Sequence, residues 1–171
     1  ARVFAHVCDT AEQPGYWRTL DTVDRFWRAN MELLEGAAPF SPQASGEWPV
    51  FTRHEPLPPA RVLADAFVDD AILSHYSVIA GDVARSIVST RCRIGANAVI
   101  RDSVLLPGAV VGAGCVLDKV IVDCDAEIPS DTQLGARLGV EPDFYASPEG
   151  IVLATAARPA KPFDIGARAI A

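Results

Sequence analysis

Arg91 and Arg93 stand two residues apart in Thr90-Arg91-Cys92-Arg93-Ile94. On an extended strand alternate residues share a face, so two guanidinium forks would lie side by side and could grip a phosphate. The plain alternative is a solvated pair beside acidic surface. Other residues suited to chemistry are sparse. Cys8, Cys92, Cys115 and Cys124 form no C-x-x-C pair and the three histidines are scattered, so clustered zinc donors are not expected. Free, partly buried thiols in a reducing cytoplasm are the expectation instead. Gly112-Ala113-Gly114 lacks the context of a phosphate loop and reads as a backbone corner. His75, in Ser74-His75-Tyr76, is the histidine placed to act as a base, or else it is a surface residue.

Bulk composition narrows the partners. The chain has 171 residues, 50% of them hydrophobic and 22% charged, with a formal net charge of -7. This is a globular composition, and its acidity argues against nonspecific nucleic-acid binding. No apolar run reaches the length needed to cross a membrane. No charged segment followed by an apolar one marks a signal peptide, and a cytoplasmic location is expected. The chain begins on Ala1 rather than methionine, as expected of a sequence that starts inside a longer protein.

The elements that must position these residues follow from periodicity. Residues 2–7 read as a short strand, followed by a polar turn around Pro14 and Gly15. Val23, Phe26, Trp27, Asn30, Met31 and Leu34 recur at helical spacing, with Thr22 as N-cap, Asp24 in the first turn and Gly36 as the stop. The aromatic pair is expected to pack against a neighbouring domain. Six prolines between residues 36 and 61 exclude regular structure, and Trp48 and Phe51 are expected to pin this connector to something apolar.

From residue 72 aliphatic residues recur every five or six positions: Val78, Val83, Val88, Ile94, Ile100, Leu105, Val111, Leu117, Val122, Ile128 and Leu134. Ile94 to Val111 and Val111 to Ile128 are each 17 residues, which predicts a coil of three short strands per turn. The aliphatics would point inward with small residues such as Ala98, Cys115 and Thr132, and Gly95, Gly112 and Gly114 would serve corners. The fold class is therefore mainly β, a parallel β-helix of hexapeptide repeats. Ile151–Ala154 reads as a strand beyond the repeats, and the Pro-interrupted tail is expected to be loosely held.

Three segments carry a family resemblance. Tyr16-Trp17-Arg18 with Phe26-Trp27-Arg28-Ala29-Asn30 resembles the stretch closing the sugar-nucleotide transferase domain of bacterial ADP-glucose pyrophosphorylases (glucose-1-phosphate adenylyltransferases). Trp48-Pro49-Val50 and Leu57-Pro58-Pro59-Ala60-Arg61 resemble their connector. Ser103-Val104-Leu105-Leu106-Pro107 and Glu149-Gly150-Ile151-Val152-Leu153 resemble their β-helix and terminal strand. The resemblance implies a left-handed coil like that of trimeric acyltransferases, preceded by the terminal strand and helix of an α/β nucleotidyltransferase domain. It implies four segments: residues 1–36 from the catalytic domain, 37–71 as connector, 72–155 as β-helix and 156–171 as tail.

By the same resemblance the complete enzyme makes ADP-glucose and pyrophosphate from ATP and glucose 1-phosphate with Mg²⁺, for glycogen synthesis. The family's Gly-rich loop and substrate lysine match nothing here, so this chain alone is expected to be inactive, to need no cofactor and to depend on a separate N-terminal catalytic domain. A homotetramer is implied. In the family, Tyr-Trp-Arg continues with a metal-holding aspartate; Thr19 stands there, leaving Asp21 as a weak metal candidate or simply a polar residue before the helix. Arg91 and Arg93 match a basic pair of the family's β-helix, and Arg158 and Lys161 remain from its basic C-terminal segment. These four are the candidate residues for a small phosphorylated effector, while Cys124 stands where the family has a further arginine. Two other readings remain open: a hexapeptide acyltransferase using His75, and a non-catalytic assembly or regulatory module.

Overall fold

The computed structural model describes residues 3–4, 16–38, 56–135 and 144–155. One helix, α1 (Val23–Leu34), precedes the strands. Its start follows the sequence: the Thr22 side chain accepts from the Arg25 N–H at 3.2 Å, and Gly36 beyond the end has φ +66. The predicted strand at 2–7, the turn at 9–15, Trp48, Phe51 and the 156–171 tail lie wholly or mostly outside the described residues.

The strands wind as a coil. β1 (Arg61–Val62), β2 (Val68–Asp69) and β3 (Ile72–Leu73) form the first turn. β4 (Val78–Ile79), β5 (Asp82–Ala84) and β6 (Ile87–Val88) form the second, and β7 (Arg93–Ile94), β8 (Val99–Arg101) and β9 (Val104–Leu105) the third. β10 (Val110–Val111), β11 (Val116–Asp118) and β12 (Val120–Val122) form the fourth. β13 (Glu127–Ile128) and β14 (Gln133–Gly135) open a fifth, and β15 (Tyr145–Ala146) and β16 (Val152–Ala154) follow. Every third strand pairs in parallel, giving three sheets: β1-β4-β7-β10-β13, β2-β5-β8-β11-β14 and β3-β6-β9-β12-β16 with β15 antiparallel at its end. β16 pairs with β12 through Ile121↔Leu153, so the strand predicted beyond the repeats completes the fifth turn.

Two details depart from the sequence expectation. β1 and β2 pair with β4 and β5, so the coil starts within the stretch read as connector, at Arg61 rather than residue 72. The second turn is also two residues short, since Val78 pairs with Arg93 where later steps, such as Arg93 to Val110, take 17 residues. Val78 therefore faces outward and Ile79, not Val78, is fully buried. One position of slip exchanges the two faces of a strand. Gly81 makes the short corner possible: a Cβ there would lie 2.4 Å from the Ala98 carbonyl oxygen.

The remaining predicted inward positions, from Val83 to Leu134, are buried, and Ala98 and Cys115 fill the corners among them. Thr132, in the last turn, is half-exposed. Gly114 has φ +69, whereas Gly95 and Gly112 are needed because the next turn's backbone passes too close for a side chain. Buried serines close another corner column. Ser103 Oγ donates to the Arg101 carbonyl at 2.6 Å and accepts from the Val120 N–H at 3.1 Å, while Ser86 Oγ accepts from the Ser103 N–H. Buried backbone donors are thus satisfied where the strands bend.

The third sheet carries an apolar outer row, Ile87–Val104–Ile121–Leu153, in register. Helix α1 covers it with Val23, Phe26, Trp27 and Met31. The neighbouring domain expected for the aromatic pair is thus the coil itself. Trp27 Nε1 donates to the Asp102 carbonyl at 2.6 Å, and Lys119 lies 5.7 Å from the Trp27 ring. Arg28–Glu149 and Arg85–Glu35 ion pairs, and a hydrogen bond from Ser147 Oγ to Asp24, fasten the helix along its length.

Candidate functional site

The first sheet has no covering helix among the described residues, and its outer row is Arg61, Val78, Arg93, Val110 and Glu127 in register. A groove of about 840 Å³ runs along it, walled on one side by Pro58, Pro59 and Tyr76 and floored by Val78 and Val110. Arg61 and Arg93 both line it, two rows apart, which at the usual strand spacing is ~10 Å. Neither makes an ion pair within the described residues.

The two predicted arginines do not share one strand. Arg93 is on β7, but Arg91 sits at the preceding corner with φ 63, and only Arg93 lines the groove. The groove's second cation is Arg61, which sequence reading assigned to the connector. Its only signal was the register of β1 against β4. Arg158 and Lys161 lie outside the described residues.

Asp21, the weak metal candidate, stands in an ion pair. Both carboxylate oxygens of Asp21 are held by Arg25 Nη1, at 2.8 and 3.0 Å, one helical turn on. Thr19 is exposed and brings no carboxylate, and no group of three or more His, Cys, Asp or Glu among the described residues could hold a metal ion. A hard dication such as Mg²⁺ takes several oxygen ligands, and Asp21 brings one exposed carboxylate without a second acidic residue grouped with it among the described residues. The surrounding loop is tied to α1, with Arg18 Nε donating to Glu32 at 2.9 Å and Tyr16 hydroxyl donating to the same oxygen at 3.3 Å. The Arg18 hydrogen bond is the main cause holding the Glu32 carboxyl below its ordinary range.

The buried thiols of Cys92 and Cys115 are free. Burial pushes the Cys92 thiol up to about 11, and its Sγ donates to the Leu106 carbonyl at 3.2 Å. A thiol so protonated and enclosed is neither nucleophile nor ready metal ligand at neutral pH. His75 is exposed at a corner next to Tyr76. No helix among the described residues is long and apolar enough to cross a membrane.

Comparison with known proteins agrees with this geometry. Over 144 residues, 81% of the chain, it is 38% identical to glucose-1-phosphate adenylyltransferase 1 of Vibrio parahaemolyticus. Over 165 residues, 90% of the chain, it is 36% identical to the glucose-1-phosphate adenylyltransferase of Methylococcus capsulatus, and over 149 residues 34% identical to that of Nitrosococcus oceani. The match covers 35%, 38% and 35% of those proteins, so the chain spans little more than a third of the curated relatives' length, their C-terminal portion. Residues 58–154, from the prolines before β1 to the last residue of β16, match the family described as GlmU-like, C-terminal hexapeptide, and to that hexapeptide family the chain belongs.

Proposed function

We propose that this chain is the assembly and regulatory β-helix portion of a glucose-1-phosphate adenylyltransferase, whose complete form makes ADP-glucose and pyrophosphate from ATP and glucose 1-phosphate. The observation that carries this reading is the length of the match: it spans 81–90% of the chain, more than the repeats alone. In the complete protein a catalytic domain would bind Mg²⁺ and the two substrates, and the assembly would be an oligomer, a tetramer by resemblance. A cytoplasmic location agrees with the free thiols of Cys92 and Cys115. Because the family's Gly-rich loop and substrate lysine match nothing in these residues, the chain alone should be inactive. The purified chain, given ATP, glucose 1-phosphate and Mg²⁺, is expected to form no ADP-glucose; clear turnover would reject the assignment of roles.

The groove carrying Arg61 and Arg93 supports a place for a small phosphorylated effector, since two guanidiniums over an apolar floor suit phosphates joined by a carbon skeleton. Arg91, Arg158 and Lys161 stay with this reading as expectations from the resemblance. Equilibrium binding of fructose bisphosphate should weaken about tenfold or more when Arg93 is replaced by alanine. Unchanged affinity would remove the arginine from the site.

A further inference from the structure

The two ends of the coil differ. At the far end the inward columns finish on Ile128, Leu134 and Ala154, all buried, and Phe144, next to β15, packs against the same core. At the near end the columns begin with Val62, Val68 and Leu73. Val62 is 47% exposed, whereas Ile79 and Ile94, in register behind it, are at most 3% exposed. Val68 and Leu73 are half-buried, and Leu63 and Phe67 beside them are exposed. β1, β2 and β3 each stand at the end of a sheet, so their outer edges pair with no strand among the described residues. A solenoid needs its terminal turn covered, because bare apolar columns and open strand edges invite contact with other chains.

The chain itself supplies an occupant. α1 runs along the third sheet from the fifth turn to the second: Asp24 and Arg28 meet Ser147 and Glu149, Trp27 meets Asp102 in the third turn, and Glu35 meets Arg85 in the second. Its C-terminus therefore points toward the first turn. The described chain resumes at Pro56, and at the level of the first turn the Pro58 carbonyl accepts from the Tyr76 N–H at 2.8 Å. The corners of Arg85 and Tyr76 are separated by one face of the coil, about five residues of strand or ~17 Å. The 17 residues from 39 to 55 are far more than that crossing needs, since they could extend to ~55 Å. They include Trp48, Pro49, Val50 and Phe51, with Phe51 five residues before Pro56 and so within ~17 Å of it. We infer that Trp48 and Phe51 cover the open end of the coil, seated on Val62, Val68 and Leu73. The contact is made by side chains and not by an added strand, because Pro49 has no N–H to donate to a sheet edge. Tethered to the coil on both sides, the segment is at high effective concentration there, ahead of any separate partner.

Hydrogen exchange of the full chain tests this at the first-turn amides of Arg61, Leu63 and Ile72, which donate to the Ser77, Ile79 and Ser86 carbonyls. Replacing Trp48 and Phe51 together by serine should speed exchange at these three amides about tenfold or more, since two large apolar side chains leave the contact. The amides of Val99, Val110 and Val116, deeper in the coil, should keep their rates. Val62→Asp tests the other side of the contact: trypsin should then cut after Arg53 about tenfold faster, with cleavage at Arg25 and Arg28 unchanged. The serine pair leaves every residue of the coil in place, so it decides the matter even where Val62→Asp harms folding. Exchange should be the same at about 5 and about 200 µM protein, because an intramolecular cover does not depend on concentration. First-turn amides indifferent to the serine pair would overturn the inference. So would protection that rises with concentration, which would give the end to a second chain.

Discussion

Leu117→Ala is expected to lower the stability of the folded chain by about 3–5 kcal/mol, near the top of the range for a leucine deleted from a packed core. Leu117 is fully buried on β11, stacked in register between Ile100 and Leu134. In a coil, each turn rests only on its neighbours, so a void in the fourth turn also undermines the fifth. The surrounding strands are hydrogen-bonded above and below and cannot collapse into the space. Domain stabilities are typically 5–15 kcal/mol, so the loss should be plain in urea denaturation. The control is Val116→Ala on the same strand, half-exposed on the outer side, which should cost about 0.5–1 kcal/mol. Equal losses at the two positions would mean that the inside of the coil has been misassigned.

Trp27→Ala should release α1 from the coil at a cost of about 2–4 kcal/mol, somewhat below that of a fully buried aromatic. The indole stacks on the third sheet, donates to the Asp102 carbonyl at 2.6 Å and lies under Lys119. A helix of 12 residues is too short to persist alone in water, so undocking amounts to melting. Limited trypsin digestion should then cut at Arg25 and Arg28 while the coil stays protected. Trp27→Phe keeps the ring and loses the donor, and should cost about 0.5–1.5 kcal/mol. If Trp27→Ala leaves α1 as resistant as before, the helix is not held by this face.

The helix was legible in sequence to its ends because its signals are local: Thr22, Asp24 and Gly36 act on neighbouring residues. The coil was legible where its turns are regular, from Val83 onward. It was misread at Val78 because one shortened corner at Gly81 shifts the phase, a change that depends on how the Ala98 backbone passes and not on nearby residues. The first turn was hidden by its prolines, which mark a connector as readily as an approach to a strand. The groove was half legible. Arg93 stood out beside Arg91, but its neighbour across the sheet is Arg61, brought there by the stacking of β1, β4 and β7. The partner of the metal candidate was not announced by spacing alone: Asp21 pairs with Arg25 one helical turn on.

The most direct test of the central claim is an exchange. Residues 58–154 of this chain would replace the matching segment of the Vibrio parahaemolyticus enzyme, leaving the rest of that protein intact. If these residues are the β-helix portion of such an enzyme, the chimera should fold and form ADP-glucose from ATP and glucose 1-phosphate. A chimera that folds and forms no ADP-glucose would contradict the account.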